Sequence, residues 1–516
     1  MDDAQIEESP KAINEEVENQ KEVIAEVARK RGIDEDQIAL FRQFTAASTE
    51  WHAGMTKKLM KKVDYHLLPM LILMYMLNFL DRNNLAQARL GTLEEDLHMT
   101  GTDFNLATGI LFVGYIVMQL PSNLLLTRVK PSTHLGICMA IWGVISTAQA
   151  ATRTFPELVV CRFFLGFAEA PYFPGAIFLM SSWYTRSELA LRIAWFYCGH
   201  SIANAFGGLL GAGVLGNLSG AHGISGWRWL FIIEGSITIF SAICSVFILP
   251  NYPATTPWLT AEERAYAQWR LVRDAGSADE ADASSVKEGV LLALRDPRLY
   301  LFTLLQHCSL LSQTFQYFFP TILQTLGYGS IETLLLTVPV WVLTFLASLA
   351  VTYTSGRCAD RSIHVVCLIA VSAAGNILVV STLNTSARFF ALFLLPLGAV
   401  PAYQIILAWI AGSFPRPLVK RSACISIGNM IGNTANIYGT YMYPSSQGPR
   451  YLPGGAATAA DCLLVALLAI VARLVLQRQN KKLAAREAFE SSDGHSPEPL
   501  AGGQEAGTPT GFRYIL

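Results

Sequence analysis

Residues 157–180, with the sequence ELVVCRFFLGFAEAPYFPGAIFLM, form an apolar run that encloses two ionisable side chains, Arg162 and Glu169. A membrane-spanning helix needs about 20 mostly apolar residues, because the hydrocarbon core is about 30 Å thick and an α-helix rises about 1.5 Å per residue. The run therefore predicts a membrane-spanning helix. Ionisable residues inside such helices are costly and mark a functional interior face.

The composition of the whole chain agrees with a membrane protein. Of 516 residues, 52% are hydrophobic and only 15% are charged, whereas soluble domains average about 25% charged residues. The formal net charge of −1 gives no basic footprint for nucleic acid. The nine cysteines are scattered without a CxxC or Cys/His spacing, so neither a disulfide framework nor a metal site is predicted.

Apolar runs of spanning length recur in two groups of six. This pattern predicts an all-α membrane protein with twelve transmembrane helices in two six-helix bundles. The predicted spans are about 65–83, 104–126, 133–152, 157–180, 190–215, 227–249, 298–322, 332–354, 362–382, 387–411, 421–443 and 457–477. The predicted units are a cytosolic tail (1–62), a first bundle (63–250), a cytosolic linker (251–296), a second bundle (297–480) and a disordered cytosolic tail (481–516).

The distribution of basic residues predicts the orientation in the membrane. Lys and Arg concentrate in the tails, the linker and alternate loops, and such segments face the cytoplasm. The other loops hold few basic residues, namely Arg89, Arg153, Arg228, Arg388 and Arg450. The acidic N-terminus lacks the pattern of a secretory signal. We expect a multi-pass protein of the plasma membrane with both termini in the cytoplasm.

Four ionisable residues define the candidate site in the first half. Asp81 and Arg82 end the first apolar run, and Arg162 and Glu169 lie seven residues apart on one face of the fourth helix. An arginine binds carboxylates bidentately, while a desolvated acid readily holds a proton. The set predicts proton-coupled anion transport. Alternatively, Asp81 and Arg82 form a solvated helix end, and Arg162 extends to the membrane interface.

Amide side chains on other helices add candidate substrate contacts. They are Asn204 in the fifth helix, Gln316 in the seventh and Asn433 in the eleventh. The glycines around them are most simply explained by close helix packing. His307, also in the seventh helix, is more simply a hydrogen-bonded structural histidine than a proton relay.

A cytoplasmic signature connects the chain to a known family. Gly356-Arg357-Cys358-Ala359-Asp360-Arg361 resembles the Gly-x-x-x-Asp-Arg motif of the major facilitator superfamily, although the trailing glycine and basic pair are missing. The corresponding first-half loop, Pro121 to Lys130, lacks the glycine and the acid. The resemblance implies that Asp360 and Arg361 act as a conformational latch rather than in substrate binding.

Further motifs resemble one branch of that superfamily, the anion:cation symporter family, and within it the fungal allantoate and nicotinate permeases. They are Asp81-Arg82 followed by Asn84, RFFLGFAEAPYFPG (162–175), PSNLLL (121–126), GWRWLFIIEG (226–235) and the linker pattern YPxxxPWLTxEER (252–264). The resemblance covers about 60–480. It implies that Asp81 and Glu169 are proton sites, and that Arg82 and Arg162 bind a small organic acid such as nicotinate, allantoate or pantothenate. The proton gradient would be the energy source, with no cofactor, and the partners would be substrate, protons and the lipid bilayer.

Two other functions compete with this prediction. Proton-coupled drug antiporters carry Gly-x-x-x-Gly-Pro-x-x-Gly-Gly in the fifth helix, but here Ala203 and Asn204 replace the central Gly-Pro. A nutrient sensor that does not transport is also compatible with the long tails. An enzyme is not predicted, because no GxxxxGK[ST], HExxH or GxSxG motif is present.

Overall fold

A computed structural model describes residues 35–126, 129–276, 286–358, 360–414, 418–493 and 513–516, and within these ranges all regular secondary structure is helical. Most of the predicted N-terminal tail therefore lies outside the described residues. The helices of the first half are α1 (Glu35–Thr45), α2 (Thr49–Ala88), α3 (Leu93–Asp96), α4 (Asp103–Leu126), α5 (Pro131–Ala148), α6 (Phe155–Glu169), α7 (Tyr172–Ser181), α8 (Arg186–Asn217) and α9 (Gly226–Ile248).

The linker and the second half continue the helical pattern. The linker contains α10 (Ala261–Gly276) and α11 (Val286–Leu294). The second half contains α12 (Pro297–Leu311), a 3-10 turn (Thr314–Phe318), α13 (Phe319–Gln324), α14 (Ser330–Arg357), α15 (Arg361–Ser381), α16 (Thr385–Ser413), α17 (Leu418–Asn433), α18 (Ala435–Gly439) and α19 (Leu452–Asp493).

By length and composition, eight helices in the described part of the chain are able to cross a membrane. They are Thr49–Ala88, Pro131–Ala151, Phe155–Ser181, Gly226–Ile248, Ser330–Arg357, Arg361–Ser381, Thr385–Ser413 and Leu452–Ala485. Helices also occupy the other four predicted spans, as α4, α8, the pair α12 and α13, and the pair α17 and α18. The architecture is the all-helical fold of two six-helix halves that the hydropathy pattern predicts.

The first and last spanning helices extend well beyond the predicted apolar runs. Helix α2 begins at Thr49, where the hydroxyl of Ser48 accepts a hydrogen bond from the Trp51 amide (3.3 Å). Helix α19 continues to Asp493, so residues 481–493 of the tail predicted to be disordered are helical, while residues 494–512 of that tail lie outside the described residues. Hydropathy marks only the segment that lipid surrounds, whereas helical hydrogen bonding continues through polar sequence. As a result, Asp81 and Arg82 lie inside α2 and are buried, so the alternative of a solvated helix end is wrong.

The two halves contact each other closely at the end away from the linker. A Cβ atom on Gly109 of α4 would lie 2.9 Å from the Ile437 carbonyl oxygen of α18. One on Gly208 of α8 would lie 2.8 Å from the Leu334 carbonyl oxygen of α14. Small residues permit this approach of backbones, as expected for glycine-rich membrane helices. These contacts close the space between the halves at that end.

On the linker side, α10 packs against the N-terminal part of α2. The Glu263 carboxylate accepts hydrogen bonds from Lys62 (2.7 and 2.8 Å) and forms an ion pair with Lys58 (3.2 Å). Desolvation opposes ionisation of Glu263, but the hydrogen bonds from Lys62, the Thr260 backbone and Lys58 outweigh it and lower its pKa to about 2. Tyr266 and Trp269 stack on His52 beside these charges. The linker is thereby held to the first half.

The last four residues, 513–516, pack against the second half. The Asn480 side chain exchanges two hydrogen bonds with the Tyr514 backbone (2.8 and 2.9 Å), and Trp409 Nε1 donates to the Ile515 carbonyl (2.9 Å). The Leu516 carbonyl accepts from the backbone amides of Arg361 and Ser362, at the start of α15. The end of the chain thus contacts α15, α16 and α19.

Candidate functional site

Close packing of α4 and α6 places Arg162 in the interior. A Cβ atom on Gly166 would lie 1.9 Å from the Leu111 carbonyl oxygen, and one on Gly114 would lie 2.1 Å from the Phe163 carbonyl oxygen. No residue larger than glycine fits either position without moving a helix. At this spacing Arg162 Nε reaches the Ala107 carbonyl of α4 (3.3 Å).

Arg82 and Glu169 form a buried ion pair between α2 and α6. Both Arg82 Nε (3.0 Å) and Arg82 Nη2 (2.7 Å) donate to Glu169 Oε2. The side chains are 8% and 0% exposed, respectively. Glu169 Oε1 is buried without a hydrogen-bond partner. Helix α6 ends at Glu169 and α7 begins at Tyr172, so the Pro171 and Pro174 region interrupts the fourth span directly after the carboxylate.

Arg162 brings a second guanidinium group to the same cluster. Its Nη2 donates to the Arg82 carbonyl (3.1 Å), while Nη1 is buried without a partner. Because Arg162 is only 1% exposed, the alternative that it extends to the membrane interface is wrong. Arg82 therefore pairs directly with Glu169, and Arg162 joins the cluster through the Arg82 carbonyl. Glu169 Oε1 and Arg162 Nη1 retain unused hydrogen-bonding capacity. Such a site suits an incoming anion.

Aromatic rings enclose the Arg82 guanidinium. Its central carbon lies 5.1 Å from the centroid of Phe79, 5.6 Å from Phe112 and 5.3 Å from Tyr115. The ring of Tyr317, from the second half, packs edge-on against Phe112 (5.6 Å). The rings exclude water and place the guanidinium in surroundings where electrostatic interactions are strong.

Asp81 lies apart from this ion pair. Its carboxylate accepts hydrogen bonds from Ser146 Oγ on α5 (2.6 Å) and Thr238 Oγ1 on α9 (2.7 Å). Adjacent residues on a helix point about 100° apart, so Asp81 and Arg82 face different neighbours. The structure places Asp81 within the first half, between α2, α5 and α9, rather than beside Glu169.

A small crevice of about 20 Å³ lies between the two halves. Two predicted substrate contacts, Asn204 and Gln316, line it together with Asn83, Gln87, Thr337 and Trp341. Asn83 Nδ2 donates to Asn204 Oδ1 (2.9 Å). His200 Nε2 lies 2.9 Å from Gln316 Oε1, which links the first half to the second. Sequence reasoning did not single out His200, although a histidine inside an apolar run is itself a signal.

Two other candidates lie away from the crevice. Asn433 Nδ2 donates to the Asn429 carbonyl of its own helix (2.8 Å), and Asn433 is not among the residues that line the crevice. His307 contacts the Ile431 carbonyl (3.1 Å) and the Tyr438 hydroxyl (2.6 Å). These contacts satisfy both ring nitrogens, in agreement with the structural interpretation of His307.

Asp360 and Arg361 connect the start of α15 to neighbouring helices. Asp360 accepts a hydrogen bond from the Ile363 amide (3.3 Å) and forms an ion pair with Arg473 of α19 (2.7 Å). Arg361 Nη1 donates to the Ala408 carbonyl of α16 (2.6 Å). The contacts join three helices of the second half.

Two helical halves, a charged cluster buried in the first half and a crevice between the halves are features of a multi-pass membrane transporter, and comparison with known proteins agrees. Residues 71–440 match the model of the Major Facilitator Superfamily. The chain is 31% identical over 497 residues to the MFS-type transporter cnsO of Penicillium expansum, covering 94% of this chain and 95% of that protein. It is 30% identical over 442 residues to the Major facilitator-type transporter hxnP of Emericella nidulans, covering 83% and 88%.

Solved structures share the fold. A bacterial homologue of the human lysosomal transporter Spinster, in an inward-facing and occupied conformation, aligns with a TM-score of 0.61 at 15% identity, over 80% of this chain and 97% of that one. A D-xylose-proton symporter aligns with a TM-score of 0.58 at 14% identity, over 77% and 97%. The match to the family model and the 31% identity to a relative show that the protein belongs to the Major Facilitator Superfamily, which confirms the resemblance at that level.

Proposed function

We propose that this transporter is a symporter that couples protons to the uptake of a small organic anion. The observation that carries the proposal is the buried Arg82–Glu169 pair with the second, incompletely bonded guanidinium of Arg162 beside it. Substrates of the carboxylate type, such as nicotinate, allantoate or pantothenate, suit this site. The proton gradient supplies the energy, and no cofactor takes part.

Competition between carboxylates explains the coupling. While Glu169 is ionised it occupies the Nε and Nη2 donors of Arg82, and a substrate carboxylate must displace it. A proton on Glu169 removes that competitor, and the substrate accepts the same two hydrogen bonds. On the other side of the membrane Glu169 releases its proton, recovers Arg82 and expels the anion. The two halves alternately expose the site, as in other secondary transporters built from repeated halves.

When the halves separate, the residues that line the crevice would provide contacts for the rest of the substrate. Asn204 and Gln316 present amides there, and Trp341 presents an aromatic face. A ring or amide on the substrate would bind these groups while its carboxylate is held by the arginines. Asn433 remains a proposed contact that would require a different conformation of α17.

The proposed location is the plasma membrane, with both termini and the linker in the cytoplasm. The basic residues of the linker side, including the lysines that pair with Glu263, support this orientation. Asp360 and Arg361 would then act at the cytoplasmic end of the second half, where a change in their contacts accompanies the rocking of the bundles.

The test is transport by Glu169→Gln in proteoliposomes with labelled nicotinate, allantoate and pantothenate. A glutamine imitates the protonated acid, so we expect exchange of internal for external substrate to continue while accumulation driven by an inward proton gradient is lost. Glu157→Gln is the matched control, because Glu157 lies exposed on the same helix. Full accumulation by Glu169→Gln would remove Glu169 from the coupling mechanism.

The same vesicles separate the competing functions. An antiporter would lose substrate when protons enter, so an inward proton gradient would lower the internal concentration instead of raising it. A sensor would bind substrate without flux. Accumulation by the wild-type protein in the direction of the proton gradient is the outcome that the symport proposal requires.

A further inference from the structure

A third buried acid, Glu234, lies in the first half, and its carboxylate makes no hydrogen bond of standard geometry. It belongs to α9 and is 1% exposed. An ionised carboxylate buried in this way is very unfavourable, and such groups become neutral by holding a proton. Glu234 has no part in the Arg82–Glu169 pair.

Glu234 and Asp81 occupy the same interior space. Thr238, which donates to Asp81 Oδ2 (2.7 Å), follows Glu234 by one helical turn and therefore lies on the same face of α9. Asp81 is the charged group close enough to act electrostatically on Glu234. The Asn84 amide of α2 lies close to Glu234 and the Trp142 indole of α5 lies close to Asp81, although neither makes a hydrogen bond of standard geometry.

The charges that surround the pair come from α6. Glu169 and Arg162 are the other charged groups that interact with Asp81, whereas α5 contributes only the neutral Ser146 and Trp142. Two adjacent buried carboxylates strongly disfavour being ionised together, and the Arg162 charge that acts on Asp81 is shared with Glu169. While the pair is buried, one of the two acids therefore holds a proton. Asp81, with two hydroxyl donors, is the better anion, so the proton resides on Glu234.

We propose that Asp81 and Glu234 form a second proton-binding pair, and that the proton on Glu234 is taken up and released in each transport cycle. This proposal rests on the proposed symport function. In each cycle one proton adds to Glu169 and one to Glu234, both on the same side of the membrane, and both leave on the other side. A monovalent anion would then cross with two protons and one net positive charge.

The experiment measures how membrane potential affects accumulation in proteoliposomes. With one net positive charge, a potential of 100 mV, negative inside, raises wild-type accumulation about fifty-fold at equilibrium. We expect Glu234→Gln, which never holds a transported proton, to accumulate substrate by the proton gradient alone, without this fifty-fold dependence. Glu234→Asp retains a carboxyl group and should retain the dependence.

Two outcomes would overturn the pair. The first is that accumulation by Glu234→Gln depends on membrane potential as in the wild type, while accumulation by Asp81→Asn does not. Asp81 alone would then bind the second transported proton. The other is a requirement for a sodium gradient, which would identify the oxygen cluster as a cation site.

Thermal unfolding in detergent tests the proton on Glu234 without transport. Ionising Glu234 in the folded protein is unfavourable, so wild-type melting temperature should decrease as pH rises, more steeply than that of Glu234→Gln. If the melting temperatures of the wild type and Glu234→Gln depend on pH in the same way, Glu234 does not hold the proton, and the proposed proton-binding pair is refuted even if the protein is a symporter. If the profiles differ but no substrate accumulates, the symport proposal fails and the proton site remains.

Discussion

The contact between α4 and α6 gives the sharpest prediction, because adding one methyl group at Gly166 should push the helices apart and displace Arg162. In Gly166→Ala, the new Cβ would lie 1.9 Å from the Leu111 carbonyl oxygen, whereas real contacts essentially never fall under 3.0 Å. The helices must therefore separate by about 1 Å. The atom in the way is a backbone oxygen, so side-chain rotation offers no relief.

The magnitude of the effect follows from the neighbouring hydrogen bond. Ala107 lies one helical turn before Leu111, and its carbonyl already stands 3.3 Å from Arg162 Nε. A separation of about 1 Å takes this contact beyond hydrogen-bonding distance. The lost charged hydrogen bond costs about 1.5–3 kcal/mol, and overpacking costs about 1–3 kcal/mol. Misplacing a binding group by about 1 Å lowers activity about 100-fold.

The assay combines initial uptake rates in proteoliposomes with thermal unfolding in detergent. We expect Gly166→Ala to transport about 100-fold more slowly and to melt several degrees lower. Gly213→Ala is the matched control, because a Cβ atom there meets nothing within 4 Å and alanine favours the helix. Wild-type rate and melting temperature in Gly166→Ala would refute the close packing from which the position of Arg162 is derived.

Three further predictions follow from other contacts. Arg82→Lys replaces two donors to one carboxylate oxygen by a single ammonium group, so substrate affinity in equilibrium binding should fall about 10- to 100-fold. Glu263→Gln should destabilise the linker contact by about 1 kcal/mol at pH 7, after allowance for solvent screening at the exposed lysines. Because the pKa of Glu263 is lowered to about 2, the stability difference between the wild type and the variant should be complete above about pH 4.5 and vanish as pH falls towards 2. Hydrogen exchange in α10 measures this stability difference. Deletion of the last three residues should increase hydrogen exchange at the start of α15 and leave α4 unchanged, because the Leu516 carbonyl accepts from the amides of Arg361 and Ser362; equal exchange in both proteins would contradict the docking of the chain end.

Hydropathy predicts the fold well because the bilayer imposes one length on every spanning helix. It does not predict where helices end in water, as α2 and α19 show, nor where a span breaks. The break after Glu169 was predictable from Pro171 and Pro174, since proline cannot continue the hydrogen-bonding pattern of a helix. The anion:cation symporter branch remains a prediction, whereas membership of the superfamily is confirmed.

The sequence predicts three buried charged residues that lie close together in the structure, Arg82, Arg162 and Glu169, but it does not predict how they pair. Arg162 and Glu169 share a helix face, yet seven residues place them about 10 Å apart along the axis. A direct ion pair therefore needs a partner from another helix, and Arg82 provides it. Glu234, like Glu169, is an acid within an apolar run, and this pattern alone indicates a functional residue. It lies in the motif GWRWLFIIEG, which contributes to the family resemblance.

Amide side chains show a second limit of sequence reasoning. Asn204 and Gln316 line the crevice, whereas Asn433 bonds to the carbonyl one turn before it. An asparagine or glutamine side chain in a helix can either hydrogen-bond to the backbone of its own helix or point away from it towards other groups. The choice depends on which groups neighbouring helices present, and that information is not local in the chain.

The distribution of polar groups between the halves suggests how binding and movement are linked. The first half supplies Arg82, Arg162 and Glu169, while the second half supplies neutral groups such as Gln316. In the proposed mechanism, a carboxylate bound by the arginines therefore stays with the first half while the halves rock. The hydrogen bond between His200 and Gln316 crosses the boundary and must change when the crevice opens there. On this proposal, the charged cluster determines whether an anion is held, and the neutral contacts across the boundary determine when the halves separate.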